Sequence, residues 1–342
     1  MLGIDVSMDT LDCTLLDSAT RRALWTRQFK NTEKDIKRLL KAVPPEHIWA
    51  LEPTGRYGTP LVKMARTAGR DVRLADTRRA KSFLRSVQGR AKCDRLDGKG
   101  LGLFALSREL PSYPVKSDEV EHVAQLMKAR RGIAQSLQQL EAQAKALPRA
   151  SESLQPAIDA LKLQERNIKL EVAALLKAAT EPVATEPVTT GVSSEATKYL
   201  VASLACAPKL MKIPGVGQVT AATIAAALAG RSFSHSDSFV AYCGLDVEVR
   251  QSGRKKGNLG LTKQGDAELR RLLYLAAQAN LKSKDSPFKA HYERERAKGL
   301  PTTAALCSVA RKIARICWSL AYHYTEYDSD RVYQNHKNPK NA

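Results

Sequence analysis

The order in which strand-like and helix-like stretches take turns over the first hundred residues most constrains the fold. Residues 2–6, 11–16 and 23–29 read as three short strands. Residues 32–43 then carry apolar side chains at helical spacing, with Asn31 or Thr32 as the N-cap. A short apolar run at 47–51 ends in Glu52-Pro53-Thr54-Gly55 and reads as a buried strand stopping at a loop. A helix at 59–68, a strand at 71–75 and a basic helix at 77–87 follow, with a last helical stretch holding 91–103. Early antiparallel strands followed by strand–helix units predict a mixed sheet covered by helices over residues 1–116.

From Ser117 the period changes. Val120, Val123, Leu126 and Met127, then Leu137, Leu140, Ala144 and Leu147, recur every three or four residues. Leu154, Ile158, Leu161, Ile168, Val172, Leu175 and Leu176 do the same beyond Pro148. This predicts two long amphipathic helices over 117–180, paired as an antiparallel or coiled-coil hairpin. The stretch TEPVATEPVTTG at 180–191 has no helical or strand pattern, and 181–194 is expected to be a flexible linker. A mainly helical region follows at 195–328, and 329–342 reads as a disordered tail.

Charge narrows the partner. The chain has 55 Lys and Arg against 35 Asp and Glu, a formal net charge of +20 spread along its length. Such a field attracts polyanions and makes binding steeply salt-dependent, so nucleic acid is the expected partner class. The six cysteines form no Cys-x-x-Cys pair, which argues against structural zinc and a disulfide framework. No apolar run approaches the roughly 18 residues of a membrane span. The N-terminus lacks the features of a signal peptide, so a cytoplasmic protein is expected.

Four acids stand out in this cationic background. Asp5 lies in an apolar first strand, where a charge is costly unless paired, coordinated or at a strand end. Glu52 ends the fourth strand. Asp94 and Asp97 are three apart in AKCDRLDGKGLGL at 91–103; on one helix their β-carbons would be roughly 5–6 Å apart. Two ionised carboxylates at that separation repel by roughly 3 kcal/mol at an effective dielectric near 20. Lys92, Arg95 and Lys99 relieve part of that, and a divalent cation would relieve more. Alone, the pair reads first as an exposed turn balanced by those cations. Because strand ends in such sheets face a common crevice, all four acids can converge. Oxygen-only ligands favour Mg2+ or Mn2+ over zinc, and two such ions can bracket a scissile phosphate.

In the later region, Gly215 and Gly217 precede a small-residue helix, where backbone N–H groups could grip phosphate or where two helices simply pack around a tight turn. The turn resembles that of helix-hairpin-helix DNA-binding proteins. A glycine-rich basic stretch, with Arg250, Arg254, Lys255, Lys256 and Lys263, predicts an exposed anion-binding loop. Its one serine, Ser252, is ordinarily a turn residue; among these cations it becomes a candidate nucleophile toward phosphodiesters.

GIDVS at 3–7, ALEPTGRYG at 50–58 and KCDRLDGKGL at 92–101 resemble the first domain of the DEDD transposases of the insertion sequence one-hundred-and-ten family. KLMKIPGVGQVTAATIAAAL at 209–228, FVAYCGL at 239–245 and QSGRKKGNLGLTKQGDAELRRLLYLAA at 251–277 resemble its second, transposase domain. The family includes the Piv pilin-gene invertases and the bridge-RNA-guided recombinases. The resemblance implies a RuvC-like, RNase H-type first domain with Asp5, Glu52, Asp94 and Asp97 binding Mg2+. It further implies a covalent phosphoserine intermediate at Ser252, a tetramer with composite active sites, and a guide RNA that pairs with donor and target DNA. Met8 stands where the family usually has Lys and Cys93 where it commonly has Thr, and the Ser252 loop lacks the Ser-Ser-Gly-Gly form of many relatives. Two competing readings are a RuvC-like nuclease that uses water as nucleophile and a nucleic-acid-binding protein without catalysis.

Overall fold

The computed structural model describes residues 1–52, 55–88, 97–113, 116–180, 204–229, 231, 233–247, 251–252, 255–256, 260–282, 286–323 and 325–333. The chain divides into two compact units, Met1–Val115 and Lys116–Ala342.

The first unit is a five-stranded mixed sheet in the order β3-β2-β1-β4-β5, with β1 Leu2–Val6, β2 Thr10–Leu16, β3 Ala23–Lys30, β4 Trp49–Leu51 and β5 Val72–Leu74. β1–β2 and β2–β3 pair antiparallel, whereas β1–β4 and β4–β5 pair parallel. The expected mixed sheet is therefore present, with strand bounds within two residues of those expected. Alternation in β1 and β2 sorts side chains to two faces. Leu2, Ile4 and Val6 stand opposite Leu15, Cys13 and Leu11 on one face, and all six are buried in one core. Ile36 and Leu39 of α1 (Glu33–Ala42) and Leu61, Val62 and Ala65 of α2 (Thr59–Thr67) complete that core. Thr32 caps α1, accepting a bond from Asp35 N. The second core joins Ala50 and Ala75 to Ala80 and Leu84 of α3 (Thr77–Gln88) and to Leu101, Phe104 and Ala105 of α4 (Gly98–Ser107).

The second unit starts with a helical hairpin, α5 (Asp118–Ala146) and α6 (Ser151–Ala178), turned by a 3-10 segment at Pro148–Ala150. Ser117 caps α5 and three acids occupy its first turn, where the helix dipole favours negative charge. The His122–Glu171 contact and the ion pairs Arg130–Glu165 and Glu141–Lys162 step along the two helices in opposite directions, the register of an antiparallel pair. Val120, Val123, Met127, Val172 and Leu176 at the base of the hairpin join the main helical core. That core is built on α8 (Gln218–Leu228), preceded by α7 (Ala207–Met211) and followed by α9 (Ser236–Tyr242), α10 (Ala267–Asn280), α11 (Pro287–Ala297) and α12 (Thr302–His323). Small residues all round α8 let it sit buried on nearly every side. No helix among the described residues is long and apolar enough to cross a membrane.

Cys13, Cys206, Cys243 and Cys317 are buried as free thiols, and burial pushes all four pKa values up. Because the thiolate is the reactive form, none of these four should be alkylated at neutral pH until the protein unfolds. Labelling any of them in the native state, read by peptide mass spectrometry, would contradict this packing.

Candidate active site

Register places the first two acids. Gly3 pairs with Ala50 and Ile4 with Leu51, so one further step along these parallel strands sets Asp5 beside Glu52 at their C-terminal ends. Across the antiparallel ladder Asp5 faces Asp12, a carboxylate not singled out from the sequence. Asp12 accepts a 2.7 Å bond from Gln28 Nε2 on β3.

Glycines deliver the third acid. A β-carbon on Gly3 would overlap Gly98 O and Gly102 N of α4, and one on Gly98 would overlap Asp12 O and come 2.7 Å from Gly3 O. Helix backbone therefore lies directly on strand backbone, a closeness that glycine alone permits. Gly98 meets β1 and β2 near Asp12 while Gly102 meets Leu16, so α4 runs antiparallel to β1 and begins at the end carrying Asp5. Asp97, immediately before Gly98, is its N-cap. The Asp97 backbone is extended (φ −86°, ψ 167°), and its Oδ1 accepts a 2.6 Å bond from Gly100 N.

This corrects one expectation. Asp97 does not continue a helix through 91–103 but is the residue where α4 starts, with an extended backbone. Asp94 itself lies outside the described residues. Among those residues no three His, Cys, Asp or Glu side chains form a group that could hold a metal ion. Asp5, Glu52 and Asp97 thus share one end of the sheet without closing a site by themselves. The donor set nevertheless fits a hard cation. It is all carboxylate oxygen, and Glu52 Oε2 is buried with no hydrogen-bond partner.

In the second unit, Gln251 and Ser252 form β6, with Gln251 paired to Lys256 and Ser252 to Lys255 of β7. A short antiparallel ladder therefore stands where an irregular loop was expected. Arg250 and Arg254 lie outside the described residues. Lys263, exposed, adopts a left-handed backbone (φ 53°) just after this hairpin. Lys263, Arg270 and Arg311 all act on the half-buried Cys307 thiol, pulling its pKa down against the larger upward push of burial. Burial holds Arg311 below its ordinary value, and Arg315 pushes it the same way. Arg311 Nε is buried without a partner, while Arg315 pairs with Asp237 at 2.6 Å. Lys263, Arg311 and Arg315 thus gather positive charge around Cys307 and Asp237 along α12.

Gly215 serves packing. Its φ is +79°, and a β-carbon there would come 2.5 Å from Ala276 O and 2.7 Å from Asn280 Nδ2. Asn280 in turn donates to Pro214 O at 2.7 Å, pinning the turn to α10. Gly217 caps α8 with no side-chain bond, and nothing would touch a β-carbon there.

Residues 2–148 match the model of the DEDD transposases of IS110 type, described as "Transposase", and residues 207–293 match the "Transposase IS116/IS110/IS902 family". A transposase for insertion sequence element IS1328 from Yersinia enterocolitica is 32% identical over 115 residues, 33% of this chain and 34% of that protein. A transposase for insertion sequence element IS1111A from Coxiella burnetii is 32% identical over 127 residues, 35% and 34% of the two chains. An uncharacterised 42 kDa protein of insertion element IS900 from Mycobacterium paratuberculosis is 29% identical over 120 residues, 34% and 30% of the two. The chain spans about a third of the length of the curated relatives it matches. With one match beginning in the first strand and the other lying wholly in the helical unit, the chain belongs to the IS116/IS110/IS902 family of transposases.

Proposed function

We propose that the chain is a DNA transposase that cuts and rejoins donor and target DNA through a covalent phosphoserine intermediate. The observation that carries the reading is the glycine-seated α4, which brings the Asp97 cap to the strand end shared by Asp5 and Glu52. The strand order, antiparallel on one side of β1 and parallel on the other, supports a RuvC-like unit. Asp5, Glu52, Asp94 and Asp97 would hold Mg2+ or Mn2+, which when bound supplies charge stabilisation at the scissile phosphate.

In the serine step, Ser252 Oγ attacks phosphorus and a P–Oγ ester forms as one P–O bond to deoxyribose breaks. The Oγ proton leaves, and the freed deoxyribose oxygen departs as a hydroxyl. A deoxyribose hydroxyl from the partner strand then attacks the phosphoserine, restoring Ser252 and joining the new strands, so the number of phosphodiesters is conserved. Lys263, Arg311 and Arg315 would supply positive charge for the backbone phosphates. The net charge of +20 suits a guide RNA together with DNA. Acids of one protomer serving the serine of another, in a dimer or tetramer, would complete the site.

The test uses full-length protein with a plasmid carrying the DNA that flanks its coding sequence, together with RNA transcribed from that flank. A protein–DNA adduct surviving denaturation is expected from the wild type and is lost in Ser252→Ala. Strand cleavage with no adduct, or an adduct undiminished in Ser252→Ala, would overturn the serine mechanism and leave a metal-dependent nuclease using water. Recombination that proceeds unchanged without RNA would favour a Piv-like invertase.

A further inference from the structure

We infer that Arg270 is a positioning residue that fixes how the Ser252 hairpin leaves the helical core; its catalytic meaning rests on the reading of Ser252 as nucleophile. Among the described residues the hairpin's ladder has two residue pairs, Gln251 with Lys256 and Ser252 with Lys255, and isolated two-stranded hairpins are marginal in water. What holds it lies at its stem.

Residues 242–247 and 261–266 flank the hairpin and are tied together at successive levels. Val247 bridges Leu261, Thr262 N donates to Asp246 O at 3.0 Å, and Thr262 Oγ1 donates to Asp246 Oδ1 at 2.5 Å. Lower down, Asp266 N donates to Tyr242 O at 2.9 Å. Between these levels the two strands of the stem meet at glycine. A β-carbon on Gly265 would overlap Gly244 N and Tyr242 O, and one on Gly244 would come 3.0 Å from Gly265 N.

Arg270 enters at that crossing. Its Nη1 donates to Cys243 O at 3.2 Å on the incoming strand and, more loosely, to Lys263 O at 3.5 Å on the outgoing one. Gly244, at φ +66°, leaves the opening, because a β-carbon there would stand 2.5 Å from Arg270 Nη1. Lys263 is left-handed (φ 53°), a conformation unfavourable for a non-glycine residue. The bonds to its carbonyl and to the stem offset that cost.

The anchor itself is rigid. Arg270 lies in the first turn of α10, whose cap Asp266 accepts bonds from Glu268 N at 2.8 Å and Leu269 N at 3.0 Å. Leu269 and Leu273 hold that helix in the core with no exposure. A planar guanidinium can reach both strands from this base, whereas a lysine ammonium is a point charge on a flexible stem. Because a misplacement of about 1 Å can cost on the order of a hundredfold in rate, the angle set here would govern whether Ser252 meets phosphorus in line.

The experiment compares full-length wild type, Arg270→Ala, Arg270→Lys and Ser252→Ala. In Arg270→Ala, amide hydrogen exchange should quicken at least tenfold in 242–247 and 261–266 but not in α8 or α12. Phosphoserine adduct formation should slow about a hundredfold, while DNA affinity at matched salt stays within about twofold. Arg270→Lys should restore part of the protection and little of the rate, and it serves as the readable variant should Arg270→Ala fail to fold. Unchanged exchange in the stem would overturn the inference. So would a loss of affinity equal to the loss of adduct rate, which would make Arg270 a phosphate contact. If the wild type forms no Ser252 adduct, the nucleophile reading fails, and the exchange measurement still decides the clamp by itself.

Discussion

Glu52→Gln is expected to lower strand transfer by about a hundredfold or more, the size seen when one preorganised electrostatic group is removed from an active site, without lowering stability. Glu52 stands one step past the end of β4, level with Asp5 on β1. Its Oε2 is buried without a hydrogen-bond partner, and a buried polar atom left unsatisfied costs about 1–3 kcal/mol. Asp5, level with it on the neighbouring strand, adds repulsion between like charges. The amide removes that repulsion, so the variant should melt at or above the wild-type temperature in metal-free buffer. Added Mg2+ or Mn2+ should raise the wild-type midpoint by mass action and raise the variant's less. A fully active Glu52→Gln protein would remove Glu52 from the site. A variant that melts well below wild type without metal would make the carboxylate a structural group instead.

Asp5 and Glu52 were legible in the sequence for one physical reason. A charge inside or at the end of an apolar strand needs a partner, and five or six letters suffice to show the conflict. The sheet was legible in the same way, since LGIDV and TLDCTLL each send one set of side chains to a core. Asp12 was not, because standing opposite Asp5 is a matter of register between strands and neither strand's own pattern encodes it. Asp97 was misplaced for a local reason. Spacing of three suggested a shared helix face with Asp94, but an aspartate just ahead of Gly-Lys-Gly competes for backbone N–H groups and caps a helix rather than continuing one. Arg270 was hidden among the leucines of its helix. Its reach to Cys243 O depends on a left-handed glycine far back in the chain.

The seating of α4 gives the sharpest structural expectation. Gly3→Ala should destabilise the first unit by about 3 kcal/mol or more, the upper range for overpacking a filled core. Its β-carbon would overlap Gly98 O and Gly102 N, backbone atoms that can retreat only by lifting the helix. Lifting α4 separates the Asp97 cap from Asp5 and pulls Leu101 and Phe104 from the second core, so strand transfer should fall along with the denaturation midpoint. Gly100→Ala is the control on the same helix. Its β-carbon would meet side chains rather than backbone, Leu84 Cδ1 at 2.5 Å and Asp97 Oδ1 at 3.1 Å, and a helix gains up to about 1 kcal/mol when alanine replaces glycine. Because those side chains can shift where backbone cannot, that variant should lose clearly less stability than Gly3→Ala. Equal behaviour of the two variants in chemical denaturation would mean that the contact between α4 and β1 does not seat the helix. A stable Gly3→Ala protein with full strand transfer would detach Asp97 from the site altogether.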